Sequence, residues 1–170
     1  MEEEIVNRVA NNQNLITLDL EDFYPDGKRV IFDIKDWLYE ELILKEKDFR
    51  AYVKNHDWNQ YQDQYVILTC STDAIIPGWA YLLLTTALQP YAKKIAAGDA
   101  ELLNALLFED IVNNLDTKPY QDKAVIIKGC SGKPVPESAY ISLVQKLQPV
   151  AKTIMYGEAC SSVPLYKRKK

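Results

Sequence analysis

The most regular feature of hydrophobic and polar patterning is a short, nearly continuous apolar run, Tyr65-Val66-Ile67-Leu68-Thr69, which recurs from Ala124 to Lys128. A β-branched run of this length predicts a strand covered on both faces, the pattern of a buried parallel sheet. Each run leads through a loop to a proline, Pro77 or Pro136, suited to the first turn of a helix. Ala139, Tyr140, Leu143, Val144 and Leu147 then follow at helical spacing. The first-copy helix is more apolar, with Leu82, Leu83 and Leu84 consecutive, which points to a core helix or a subunit contact. Past Pro90 and Pro149, the stretches ending at Gly98 and Gly157 suit strands.

These elements belong to an internal repeat. Shifted by 59 positions, residues 49–98 fall on residues 108–157 with 20 identities in fifty columns, where composition alone gives about three. Tyr61-Gln62-Asp63 meets Tyr120-Gln121-Asp122, and Leu88-Gln89-Pro90 meets Leu147-Gln148-Pro149. Cys70-Ser71 and Cys130-Ser131 come into register when Gly129 is a one-residue insertion. Asp99 is placed to cap a helix joining the copies, and Lys45 to Lys54 reads as a surface helix. Leu15 to Leu20 and Arg29 to Ile34 read as strands joined across Tyr24-Pro25-Asp26-Gly27. The expectation is a single α/β domain over residues 1–170. Its mainly parallel sheet is built from two duplicated strand-helix-strand units, to which an N-terminal β-hairpin is added.

Composition narrows the function. The chain has 24 acidic and 20 basic residues, a formal charge of −4, so its body offers no attraction to nucleic acid or anionic membrane. The Lys167-Arg168-Lys169-Lys170 end reads as a solvated tail. The start Met1-Glu2-Glu3-Glu4 and the lack of a long apolar stretch favour a soluble, cytoplasmic protein. Three cysteines, an odd number, argue against a disulfide scaffold.

The repeat gives those cysteines a position. Cys70 and Cys130 follow equivalent strands and Cys160 follows Gly157, so parallel strands would carry all three thiols to one sheet edge, where α/β folds place ligands. The candidate metal ligands are therefore Cys70, Cys130 and Cys160, with Ser71 and Ser131 beside them as cofactor-binding candidates. Asp33, Asp36, Asp73 and Glu158 are further oxygen donors with equally good readings as caps or loop residues. Three thiolates plus one oxygen suit zinc or an iron–sulfur cluster. The opposing reading packs each cysteine as a small apolar side chain. The one histidine, His56, enters the Tyr65 strand at its amino end, away from the thiols, and reads as a turn residue. No CxxC pair, P-loop, GxGxxG, HExxH or GxSxG occurs, so no catalytic residue is assigned and an enzyme is the less favoured reading. Lys128-Gly129-Cys130-Ser131-Gly132-Lys133 reads first as a surface turn, with a small-anion cradle as the other possibility.

Phe32-Asp33-Ile34-Lys35-Asp36-Trp37, Leu44-Lys45-Glu46-Lys47-Asp48-Phe49-Arg50, Lys54-Asn55-His56-Asp57-Trp58, Leu68-Thr69-Cys70-Ser71, Lys128-Gly129-Cys130-Ser131 and the Tyr166 to Lys170 end resemble the domain-of-unknown-function family 2480 of the Bacteroidota, over the whole length. The resemblance carries no established activity. It implies a bacterial cytoplasmic protein encoded near iron–sulfur cluster assembly genes, and hence iron–sulfur assembly proteins as partners. Two functional expectations follow. One is a thiolate accessory protein that binds a metal or cluster or handles sulfur; the other is an interaction module whose apolar helix at Trp79 to Leu88 supports a homodimer and whose cysteines are structural.

Overall fold

The structure is a computed structural model that describes residues 14–129, 132–158 and 160–169. Its elements in chain order are β1 (Leu15–Leu18), β2 (Arg29–Asp33), α1 (Glu46–Asn55), β3 (Tyr65–Thr69), α2 (Gly78–Leu88), β4 (Lys94–Ala97), α3 (Ala100–Asn114), β5 (Ala124–Ile127), α4 (Glu137–Leu147), β6 (Thr153–Glu158) and β7 (Ser161–Lys167). The α/β class, the parallel pairing and both strand-helix-strand units are as the patterning leads one to expect. Asp99 caps α3, its Oδ1 accepting from the Leu102 N–H at 2.8 Å.

The pairing of the N-terminal strands differs from the expected hairpin. Among the described residues there are two sheets, in the orders β1-β5-β6-β7 and β2-β3-β4, and every pairing is parallel except β6 with β7. β1 and β2 therefore start different sheets. The cause is local: Asp19 accepts from the Glu21 N–H at 2.9 Å and opens a 3₁₀ turn at Leu20–Phe23. The chain thus turns out of β1 before the Pro25-Asp26-Gly27 segment begins.

The chain divides into two compact units, Pro25–Leu107 and the flanking Met1–Tyr24 with Phe108–Lys170. We call them the inserted unit and the outer unit. Their registers are copies. Leu15 pairs with Ala124 and Ala124 with Thr153 in one; Arg29 pairs with Tyr65 and Tyr65 with Lys94 in the other. Both central strands are thus related by the 59-residue shift. The N-terminal strands are duplicated too, since Asp19 and Asp22 after β1 recur as Asp33 and Asp36 after β2. Asp33 likewise opens a 3₁₀ turn, Ile34–Trp37, by accepting from the Lys35 N–H at 3.0 Å.

Packing follows the same plan. In the inserted unit, Phe49 of α1 and Ala80, Leu84 and Leu88 of α2 close over Phe32, Val66 and Leu68. On the other face Tyr65, Ile67 and Ala96 meet Leu103 and Leu107 of α3. In the outer unit Phe108, Ala139, Leu143 and Leu147 close over Leu18, Val125, Ile127 and Ile154. Even a left-handed residue is repeated: Asp63 and Asp122 have φ of 58° and 56°, and their N–H groups donate to Tyr91 O and Val150 O, each at 2.9 Å.

Of the basic residues expected as a solvated tail, Lys167 and Arg168 are held by the structure. β7 runs antiparallel on β6, with a bulge opposite Ile154 and Met155, and Pro164 is tolerated because β7 is an edge strand. Arg168 then pairs with Asp122 and donates to Val150 O at 2.7 Å. No helix among the described residues is long and apolar enough to cross a membrane.

Candidate functional site

The carboxyl ends of the parallel strands carry the polar side chains in both units, and the units use them differently. In the inserted unit Asp33 ends β2, and its Oδ1 also accepts from the Ser71 N–H at 3.1 Å. Burial pushes the Asp33 carboxyl up, but hydrogen bonds from the Ser71 side chain and from the Lys35 and Ser71 N–H groups outweigh it and hold the group below its ordinary value. Asp33 and Ser71, two sequence candidates, are thereby brought together. Their arrangement is a loop clamp.

Cys70 follows β3 directly and is half-buried against the α2 side of the core. Its Sγ lies 3.4 Å from Thr72 Oγ1, and the Thr72 hydroxyl donates to Glu41 O at 2.9 Å. With its own hydrogen committed to Glu41, the hydroxyl oxygen can only accept from the thiol. The sulfur is a hydrogen-bond donor in this arrangement, and the chain Cys70-Thr72-Glu41 ties the loop after β3 to the turn at residues 39–43. Burial, and then the nearness of Cys70, push the Tyr81 hydroxyl above its usual range.

The outer unit has the same aspartate in a charged setting. Asp19 Oδ2 lies 2.9 Å from Lys128 Nζ. Burial raises the Asp19 carboxyl, but the hydrogen bonds from Lys128 and the Glu21 N–H prevail and lower it. Hydrogen bonding and attraction to Asp19 raise the Lys128 ammonium, with Glu158 adding to the effect, so both partners hold their charge. The loop after β5 is fixed at both ends. Tyr156 Oη donates to Gly129 O at 3.4 Å, and a Cβ at residue 129 would lie 2.3 Å from the Tyr156 ring, so only glycine fits without moving the ring. Beyond it, Gly132 N–H donates to Glu21 Oε1 at 2.7 Å and Lys133 Nζ to Glu21 O at 3.1 Å.

Cys130 and Ser131, between these anchors, lie outside the described residues. Cys160 is exposed, between β6 and β7. Ile127, the last residue of β5, and Tyr156, two residues before the end of β6, are Cα partners, so Cys130 and Cys160 stand three and four residues in sequence past a matched pair of positions. The expectation of one sheet edge bearing all three thiols fails at the level of topology: Cys70 follows a strand of the β2-β3-β4 sheet, and Cys130 and Cys160 follow strands of the other. Among the described residues no group of three or more histidine, cysteine, aspartate or glutamate side chains is arranged to hold a metal.

His56 caps the C-terminus of α1, as a turn residue should. Its ring lies among Phe32, Trp37, Trp58 and Tyr61, with centroids 4.6–5.8 Å away, and its Nε2 is 3.2 Å from Tyr61 Oη and 3.1 Å from Gln60 Nε2. Burial lowers its pKa against a smaller opposing effect of Asp57. The apolar helix is chiefly a core helix: of the three consecutive leucines, Leu84 is fully buried and Leu82 alone is open, at 68% exposure.

Two apolar surfaces escape the sequence reading. Tyr140, Ile141 and Val144 of α4 with Tyr156 and Leu165 line a groove of about 300 Å³ in the outer unit. Leu42, Ile43, Leu44, Ala74, Ile75 and Pro77 line an open hollow in the inserted unit. The Leu42-Ile43-Leu44 run was the available signal for the second, but such a run reads as core.

The family of proteins of unknown function DUF2480 matches residues 3–168 of the chain. No curated protein and no solved structure matches it.

Proposed function

We propose that this chain, which belongs to the DUF2480 family, is a non-catalytic thiol protein of the cytoplasm that carries sulfur, a soft metal ion such as zinc, or an iron–sulfur cluster as an accessory to iron–sulfur assembly proteins. The observation that carries the reading is that Cys130 and Cys160 stand three and four residues in sequence past the paired Ile127 and Tyr156 of β5 and β6, with Cys160 exposed. Lys128 and Lys133 flank Cys130 along the chain, and cations beside a thiol favour the thiolate, the form that binds metal or accepts sulfur. Glu158 and Glu21 are oxygen donors on the same unit. Two protein thiols do not complete a cluster, so further ligands come from a partner. Cys70, committed as a donor to Thr72, is the least suited of the three.

The test is protein purified without oxygen and assayed for iron, zinc, sulfide and protein-bound sulfur, beside Cys70→Ser, Cys130→Ser and Cys160→Ser variants. The expected result is a bound metal or sulfur that is lost in the Cys130 and Cys160 variants and kept in Cys70→Ser. Colourless, metal-free and sulfur-free protein, or retention in all three variants, overturns the proposal. A second reading, a binding module with structural cysteines, is favoured by the exposed apolar side chains of the inserted unit. The α2 homodimer form of it has only Leu82 to offer as a large exposed apolar side chain on that helix.

A further inference from the structure

The inserted unit carries an apolar surface that its own packing does not use. Ile75 is 92% exposed, Leu42 58% and Ile43 55%. The repeat supplies the internal comparison. Ile76 packs against the core of the inserted unit and its equivalent Val135 against that of the outer unit, so the core's need in this loop is met by one residue. Ile75 is surplus to it. The turn that faces it has no counterpart in the outer unit, where the chain leaves at Tyr24 directly after the 3₁₀ turn.

That turn is preformed. Tyr39 N–H donates to Ile43 O at 2.8 Å and Ile43 N–H to Tyr39 O at 3.0 Å, while Glu40 and Glu41 sit at φ of 49° and 58°, where side chains are disfavoured. Thr72 holds Glu41 from the neighbouring loop. The result is an open hollow of about 550 Å³ lined by Leu42, Ile43, Ala74, Ile75 and Asp73. The charges on its two loops are of one sign: Asp73 lines it, Glu40 and Glu41 are exposed in the adjoining turn, and the next cation along the chain, Lys45, lies over the Tyr39 ring at 3.1 Å.

We propose that this surface docks a segment of a partner protein in which apolar side chains alternate with or are flanked by lysine or arginine. The apolar hollow takes the aliphatic side chains and the three carboxylates take the cations. The same carboxylates repel an anionic membrane or a nucleic acid.

The full chain is titrated into a fluorescently labelled peptide of alternating leucine and lysine, and into a twin with glutamate for lysine, with anisotropy as the readout. Binding of the lysine peptide alone is expected, weakened about 10-fold or more by Ile75→Asp and by Glu40→Lys with Glu41→Lys, and weakened by salt. Ile75 is so exposed that Ile75→Asp does not threaten the fold, which circular dichroism checks. Ile141→Asp, on the outer unit, is expected to leave binding unchanged. The proposal is overturned if the twin peptides bind alike, if neither binds, if the inserted-unit variants bind like the parent, or if Ile141→Asp weakens binding equally. Binding to phosphatidylglycerol vesicles that Ile75→Asp abolishes overturns it in favour of a membrane.

Discussion

Leu84 and Leu143 occupy the same place in the two units, and both are fully buried. Leu84 packs with Phe49, Leu68 and Leu88, and Leu143 with the equivalent Phe108, Ile127 and Leu147. Replacing either by alanine removes three carbons, about 2.4 kcal/mol of transfer free energy at ~0.8 kcal/mol for each. The space left behind adds a cavity term, bringing the loss to about 3–5 kcal/mol. Because the surroundings are copies, the two losses should agree within about 1 kcal/mol; because the two clusters share no residue, the double variant should lose their sum within ~0.5 kcal/mol. Urea unfolding measures this with two probes. Trp37, Trp58 and Trp79 all lie in the inserted unit, so fluorescence reads that unit, while far-UV circular dichroism reads the helices of both. Coincident transitions license a single free energy for each variant. A loss under about 1 kcal/mol at one site beside about 4 kcal/mol at the other would refute the claim that the repeat extends to energetics.

Three further outcomes are expected. His56 has a folded pKa below its unfolded value, so its contribution to stability is whole above pH ~6.5 and is lost as pH falls through the folded value; urea midpoints between pH 8 and 5 should fall on the acid side, and His56→Gln should flatten that part of the profile. Asp33 also titrates below its unfolded value, so its stabilisation is present above pH ~4 and lost below. Asp33→Ala should cost about 1 kcal/mol at neutral pH, as loss of a comparable cap does, and soften acid unfolding. Buried Asn104 accepts from both Nε and Nη2 of Arg29 at 3.3 Å; Asn104→Ala should cost about 1–2 kcal/mol in thermal unfolding, and Asn104→Asp, which keeps the acceptor, less.

What was legible in the sequence was what neighbours in the chain decide. The runs at residues 65–69 and 124–128, the prolines before α2 and α4 and the Asp99 cap are local signals, and each coincides with β3, β5 or the start of a helix, to within one residue. Strand partnership is not local. Leu15 finds its partner in Ala124 and Arg29 in Tyr65, whereas the strong turn signal at Pro25-Asp26-Gly27 predicts a hairpin that neither strand makes. The clue was present but short, the recurrence of Asp19 and Asp22 as Asp33 and Asp36. β7 was hidden for another reason: Ser161 to Lys167 contains Pro164 and lacks a clear two-residue period, because an edge strand with a bulge is under little constraint to show one.

The same nonlocality divides the cysteines, and the division has chemical content. The duplicated aspartate after the first strand of each unit started from one role, opening a 3₁₀ turn, which both copies keep. In the inserted unit its remaining capacity goes to Ser71, and Cys70 is spent on Thr72, so that edge is a closed set of hydrogen bonds whose work is to hold the residue 39–43 turn against the loop after β3. In the outer unit the aspartate instead holds Lys128 charged, and Glu21 and Tyr156 grip the loop on either side of Cys130. One copy exposes an apolar surface at Leu42, Ile43 and Ile75, and the other holds Lys128 charged two residues before Cys130 in sequence. Under the proposed function a thiol must reach a partner that is also recognised, and a duplicated unit would supply the two capacities without asking one strand edge to serve both.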